Sequence, residues 1–425
     1  MRVTVLSYAM TAASTAGKAE WLGARCALTL IQPARWPWYA GEPPVEPRGV
    51  TVVRLPVMLP GRHHLHVYRG LSRAIAASRP ELFYYDQEPW SLSTAQGVRA
   101  AVRVGAVVVG FTWQNIRKHY LPPFRALERW VHRRTRMIIA GNEDAAGILR
   151  RRGYEGLIRV IPQFGVDTAA FRPAASTRAD LGLPPDGVLV GFVGRLVPEK
   201  GLATVVEAVA RVPGIRLALA GVGPEERALR EQARRLGVTD RVHFLGGFPS
   251  DRVPHVMRAL DALVLPSRTT SRWKEQFGRV LIEAMATGAP VVGSSSAEIP
   301  RVIGNAGLVF EEGDVEDCAG ALHVLLDPVR RGELASRGSA RVAEHYTTER
   351  IAERYWEAFE EAVKRFTNGR VGDLLELDRG QLPIGDQGPL RGALRTLRGE
   401  AGASPDGDQG RAPGGVQGGD RPPGD

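Results

Sequence analysis

From residue 187 to residue 326 the sequence alternates short apolar runs with longer stretches of helical spacing, and few folds accommodate that order. Residues 187–194, 215–220, 242–245, 262–266, 289–293 and 308–310 are short and apolar, as strands buried on both faces are. Between them, residues 202–211, 225–236, 279–286 and 315–326 have helical composition, with Gly237 and Gly288 placed as stop signals. Such alternation pairs the strands in parallel, because each helix carries the chain back across the sheet. The first part of the chain repeats the pattern. Residues 3–7, 26–31, 82–85, 107–112 and 137–140 read as strands, with helices at 10–21 and 122–136. The restart of the pattern after a loop at 171–176 predicts a boundary near residue 175. The expected fold class is α/β, with doubly wound parallel-sheet domains at 1–175 and 176–346, a helix at 347–367 and a largely disordered tail at 368–425.

Composition narrows the function classes. With 425 residues, of which 44% are hydrophobic, the chain can bury two substantial cores. No apolar run is long enough to span a bilayer, and the start lacks a signal-peptide pattern, so a cytoplasmic protein is expected. A net charge of +10 favours anionic partners without choosing among nucleotide, lipid and nucleic acid. No zinc-finger, RNA-recognition or helix-turn-helix pattern is present, and no nucleic-acid partner is expected. Cys26 and Cys318 stand far apart and read as small core residues. The run Arg62-His63-His64-Leu65-His66 has no acidic or cysteine residue beside it, so no metal site is expected there. The helix at 122–136 sets Phe124, Leu127, Trp130 and Val131 against five arginines, a pattern that suits either a helix covering a sheet or one lying on an anionic membrane.

The segment from Glu275 to Gly288 joins two predicted strands through a loop and a helix. A helix start offers unpaired N–H groups and partial positive charge, which suit a phosphate. Glu283, about one turn inside at ~1.5 Å rise per residue, can accept from a sugar hydroxyl beside that phosphate. Glu275, on the preceding loop, can serve a group on the phosphate's other side. An amphipathic helix carrying two solvated glutamates fits the same spacing.

Here the sequence resembles the family-4 retaining glycosyltransferases of GT-B fold. Their motif of two glutamates separated by seven residues stands as Glu275, Phe277, Gly278 and Glu283, followed by Gly288-Ala289-Pro290-Val291-Val292. A second family motif, a strand ending in Gly-Arg before a Lys-Gly at a helix start, stands as Gly194, Arg195, Lys200 and Gly201. The resemblance implies two Rossmann-like domains facing across a cleft, with the helix at 347–367 crossing back to the first. It implies a nucleoside diphosphate sugar as donor, no cofactor and no required metal. Arg195, Lys200 and Glu275 take the catalytic positions, and Gly194, Gly246, Phe248, Phe277, Gly278, Arg279, Val280 and Glu283 form the donor side. The acceptor would be a glycan, a lipid-linked sugar or a small molecule, with peripheral contact at the inner face of a membrane as one setting.

On the acceptor side, Glu88 follows one predicted strand, and Gln114 and Asn115 follow another, at the carboxyl ends where open α/β sheets bind ligands. Many family members carry a histidine after the second of these strands; here Trp113, Gln114 and Asn115 occupy the region. The family's Gly-Gly loop after the first strand is replaced by residues 11–17, without paired glycines. The turn at 160–167 resembles the family's end of the first domain, with Phe164 in place of the usual Asn. Other functions compatible with this fold are a nucleotide-sugar epimerase or hydrolase, and a nucleotide-sugar binder without catalysis.

Overall fold

A computed structural model describes residues 1–10, 13–37, 45–118, 120–175 and 178–368. The expected tail, the first-loop residues 11–12 and the end of the predicted linker at 176–177 lie outside the described residues. The first half of the chain runs β1 (Arg2–Leu6), α1 (Ala13–Gly23), β2 (Ala27–Pro33), β3 (Thr51–Leu55), β4 (Val57–Met58), β5 (Val67–Tyr68), α2 (Leu71–Ser78), β6 (Leu82–Tyr85), α3 (Leu92–Arg103), β7 (Val107–Thr112), α4 (Pro122–Arg134), β8 (Met137–Ala140), α5 (Glu143–Arg151) and β9 (Leu157–Val160). The second half runs β10 (Val188–Val193), α6 (Leu202–Arg211), β11 (Ile215–Ala220), α7 (Glu226–Arg235), β12 (Val242–Gly246), α8 (Val253–Arg258), β13 (Ala262–Leu265), α9 (Arg279–Ala286), β14 (Val291–Ser294), α10 (Ile299–Ile303), β15 (Gly307–Phe310), α11 (Val315–Val324), α12 (Pro328–His345) and α13 (Thr348–Asn368).

Two parallel sheets result. One has seven strands in the order β3-β2-β1-β6-β7-β8-β9, and the other has six in the order β12-β11-β10-β13-β14-β15. Both reverse strand order beside the first strand, which opens a crevice at the carboxyl ends. Strands β6, β7, β8 and β13 are buried along their whole length, which explains why they read as unbroken apolar runs. Every pairing within the two sheets is parallel, and among the described residues only the short β4–β5 hairpin is antiparallel.

Two crossings connect the halves, and they lie against each other. Val166 N donates to Tyr346 O at 2.8 Å, and Thr348 N donates to Val166 O at 3.0 Å, so the outgoing and returning chain form one small bridge. After returning, α13 packs on the first sheet. Ile351, Tyr355, Ala358, Phe359 and Ala362 join Val3, Val5, Tyr84 and Val109 in a single core. The Phe359 ring lies 5.3 Å from that of Tyr84 and 6.1 Å from that of Tyr355.

The apolar stripe of α4 is partly buried within the protein, with Phe124 and Trp130 half-buried. Leu127 and Val131 are fully buried, together with the ion-paired Glu128. No described helix is long and apolar enough to cross a membrane.

Because Phe359 is wholly buried against both the sheet and Tyr355, Phe359→Ala should cost about 3–5 kcal/mol. Urea unfolding should show a lower midpoint with an unchanged slope; a midpoint within error of wild type would mean α13 adds nothing to this core.

Candidate functional site

The carboxyl ends of β10 and β13 bring together the second half's two motifs. After β10 the chain turns through Gly194 and Arg195 to Lys200 and enters α6 at Gly201. Gly201 is left-handed at φ 62°, and a Cβ there would lie 2.2 Å from Pro266 O, so only glycine lets this turn rest on the end of β13. After β13 the loop from Pro266 to Gly278 carries Glu275, and Gly278 at φ 75° starts α9. A Cβ on Gly278 would meet Leu265 Cδ2 at 2.8 Å. Two close approaches therefore fix two helix starts against one strand.

Glu275 is the centre of this arrangement. Its carboxylate is buried and accepts from Lys200 Nζ at 2.6 Å and from Ser267 Oγ at 2.8 Å. Lys200 Nζ also lies 5.0 Å from the centre of the Trp273 ring. Glu283, one turn into α9, is buried and pairs with Arg279 Nε at 2.7 Å. Burial holds the Glu283 carboxyl above its ordinary range, with Arg279 pulling the other way. Arg195 is exposed at the mouth of the same turn. Gly246 ends β12 with φ 73° and accepts from Gly221 N at 2.7 Å, with the half-buried Phe248 just beyond. Val280 is half-buried in the first turn of α9. The Phe277 ring sits in the core, 6.2 Å from Trp113 and 5.8 Å from Tyr346, where the two halves meet.

The first half holds the Glu275 loop from across the cleft. Asn115 Nδ2 donates to Lys274 O at 3.3 Å and Glu275 O at 3.4 Å. Asn142 Nδ2 donates to Gln276 O at 2.8 Å, while its Oδ1 caps α5 by accepting from Ala145 N at 2.9 Å. Gln276 Nε2 returns a bond to Trp113 O at 3.2 Å, and Lys274 pairs with Asp144 at 3.1 Å. Neither Asn142 nor Ser267 stands out in the sequence. Asn142 is legible there only as a helix cap, since a single amide serving a cap and a distant loop leaves no local pattern.

A cavity of about 270 Å³ opens between these groups, lined by Glu88, Trp90, Gln114, Asn115, Lys118, Arg272, Trp273, Lys274 and Gln276, with Ile116. The Glu88 carboxylate accepts from Thr112 Oγ1 at 2.6 Å and from Trp113 N at 3.0 Å. Burial pushes its carboxyl up to about 7, against the pull of those hydrogen bonds and of Lys118. Gln114 is turned inward and closes its own loop, donating to Ile116 O at 3.2 Å. Nearby, the run of histidines forms an aromatic cluster. His66 packs against Trp36 at 5.0 Å and Tyr68 at 5.7 Å, and His64 Nδ1 accepts from Trp90 Nε1 at 2.8 Å. Among the described residues no three His, Cys, Asp or Glu side chains gather as a metal-binding group. Both cysteines are free; Cys318 is buried and Cys26 half-buried.

Comparison with known proteins agrees with this geometry. Residues 174–341 match the family Glycosyl transferases group 1, and residues 11–163 match the Glycosyl transferase 4-like domain. D-inositol 3-phosphate glycosyltransferase of Mycobacteroides abscessus is 30% identical over 315 residues, covering 69% of each chain. The corresponding protein of Mycobacterium marinum is 32% identical over 59% of this chain and 55% of its own. The lipopolysaccharide core biosynthesis glycosyltransferase LpsE of Rhizobium meliloti is 36% identical over 52% of this chain and 64% of its own. The chain spans about half the length of the first curated relatives it matches, at 55%, 49% and 42%. Among solved structures, sucrose-phosphate synthase from Thermosynechococcus elongatus superposes with a TM-score of 0.67 at 21% identity, covering 86% of this chain and 99% of that one. Anabaena HepE in complex with UDP gives 0.67 at 20% identity, covering 85% and 100%. The fold is thus GT-B, and the chain belongs to the group 1 glycosyltransferases, the family-4 enzymes whose paired-glutamate motif it carries.

Proposed function

We propose that the chain transfers a sugar from a nucleoside diphosphate sugar to an acceptor hydroxyl with retention of configuration, in the cleft between its two sheets. The observation that carries this reading is the contact of Lys200 Nζ with the buried Glu275 carboxylate at 2.6 Å, beside the start of α9. A diphosphate leaving group gains negative charge as its bond to the sugar breaks. Lys200, Arg195 and the N–H groups at the start of α9 are the positive groups placed to stabilise it. Glu275 holds Lys200 and offers a carboxylate oxygen to a hydroxyl of the transferred sugar, and Glu283 offers one to the ribose once Arg279 turns aside. The acceptor hydroxyl attacks the anomeric carbon on the face the diphosphate leaves, and its proton passes to a phosphate oxygen. The protein's own cations carry the charge in this scheme, so a chelator should leave turnover intact. Trp90 and Trp273 line the cavity that would receive the acceptor, and aromatic walls suit the apolar faces of a sugar ring.

Each preorganised donor to the leaving group is worth about 3 kcal/mol, so Lys200→Ala and Arg195→Ala should each cut turnover roughly a hundredfold. Glu283→Ala should mainly weaken donor binding. The donor would be found by thermal shift with a set of nucleotide sugars, UDP-glucose first because HepE is known in complex with it. The anomeric configuration of the product would then be read by NMR. Full turnover in Lys200→Ala, or an inverted product, overturns the mechanism; donor consumption without acceptor would make the protein a hydrolase.

Glu88 titrates in the middle of the useful range. Its carboxyl stays protonated below about 7 and ionises above it, so the pH profile of kcat/KM for the acceptor should show an inflection near that value. Glu88→Gln should erase the inflection. If it survives in the variant, another group carries it and Glu88 only shapes the loop.

A further inference from the structure

A large basic concavity lies away from the cleft. Thr135 and Arg136 precede β8, and residues 153–156 precede β9, so this cavity opens at the amino ends of the strands, opposite the end that faces the other half. Its volume is about 740 Å³, and Arg129, Arg133, Arg136, Arg152 and Arg365 line it, with Glu155 the only acid among the lining residues. Counting also Glu128, which pairs with Arg152, and Glu361, which pairs with Arg365, five arginines meet three carboxylates.

Helix-end electrostatics explain part of this charge. The carbonyl end of α4 attracts cations, and Arg134 donates to Trp130 O at 3.4 Å. Arg129 and Arg133 are different. Both are exposed, and among the described residues neither has an ion-pair or hydrogen-bond partner. As like charges four residues apart on one helix they repel, so α4 would be more stable without one of them. A second observation concerns the same wall of the cavity. His132 also lines the cavity, and its Nε2 is buried without a hydrogen-bond partner among the described residues. Burial and the neighbouring Arg152 push the His132 ring down to about 4, so it is neutral at physiological pH and can donate one N–H.

We propose that this cavity is a second anion site that takes a phosphate monoester or diphosphate group, carried either by a soluble metabolite or by a lipid headgroup. Guanidinium forks match phosphate oxygens in pairs, and the volume falls within the range of small-molecule sites. An occupant would touch α4, the turn before β9 and, through Ala362 and Arg365, the helix α13 that returns from the second half.

The test uses pyrophosphate and vesicles as probes. Because pyrophosphate can also enter the cleft, the titration is run in the Lys200→Ala background, with and without Arg129→Glu and Arg133→Glu together. Both arginines are exposed, so the double variant should still fold and melt cooperatively without ligand. Loss of two charge-assisted contacts should weaken pyrophosphate binding at least about tenfold. In parallel, full-length protein is sedimented with phosphatidylcholine vesicles containing phosphatidic acid or none. Pyrophosphate binding that depends on the arginines, without vesicle binding, supports a soluble source. Pelleting with phosphatidic acid vesicles that the double charge reversal abolishes supports a headgroup. If neither probe responds to the reversal, the site does not exist. No sugar transfer is measured, so this outcome leaves the transferase reading where it stands.

Discussion

The arrangement depends on one buried carboxylate and the groups that hold it. Glu275 is removed from water between Lys200 and Ser267, and deleting one member of such a buried pair typically costs about 3–5 kcal/mol because the other charge is stranded. Ser267 belongs to the chain just after β13, Lys200 to the turn after β10, and Glu275 to the loop before α9. One ion pair thereby ties together three segments whose only sequence relation is that each follows a strand or precedes a helix. The same loop's carbonyls are held by Asn115 and Asn142 from the first sheet, so the charge is fixed relative to both halves. The proposed donor, carrying two phosphate charges, would meet a cation already in place. Its reorganisation energy has been met in folding.

The second half was far more legible in the sequence than the first, and the reason is physical. Residues 202–211, 215–220 and 279–286 read as the elements α6, β11 and α9 with the observed bounds, because alternating buried strands and amphipathic helices leave unambiguous periods. Strand β3, by contrast, is an edge strand whose residues are only partly buried, and Thr51-Val52-Val53-Arg54-Leu55 does not separate from the loop before it. Strand β9, at the opposite edge, is hidden for the same reason, and only its last residue, Val160, falls in a recognised motif, the turn at 160–167. Helix α12 has three buried positions among 18 residues, too sparse a stripe to announce a long helix.

The candidate site divides in a similar way. The family motifs single out Lys200 and Glu275, and the structure places them in contact. They do not show that Arg279 pairs with Glu283, since that contact depends on one rotamer. Nor do they reveal the groups that act across the cleft. Asn115 was marked for its position after β7, but its bonds run to Lys274 and Glu275, more than 150 residues away, at |i−j| of 159 and 160. Contacts of that separation have no local signature.

A second buried polar system sets where the first sheet stands. Asp86, at the end of β6, accepts from Ser7 Oγ at 2.8 Å, Tyr84 OH at 2.8 Å and Gln163 Nε2 at 2.9 Å. Lys18, buried beside it, donates to Gln163 O at 2.6 Å and lies 4.0 Å from the centre of the Tyr355 ring on α13; burial pushes its amine down to about 8, although Asp86 works to keep it charged. Gln163 Oε1 then accepts from Trp113 Nε1 at 2.7 Å, and the Trp113 ring packs toward Phe277 at the start of the Glu275 motif helix. Gln163 immediately precedes the crossing at Val166. Its side-chain amide joins Asp86 to Trp113, while its backbone carbonyl holds the Lys18 that lies against Tyr355 of the returning helix. A change in the angle between the sheets must either carry this group along as a unit or break bonds from Asn115 and Asn142 to the loop. The Asn115 bonds, at 3.3 and 3.4 Å, are longer than the 2.8 Å bond from Asn142, so the tightest polar tie from the first sheet to the loop is the one made by the residue that also caps α5.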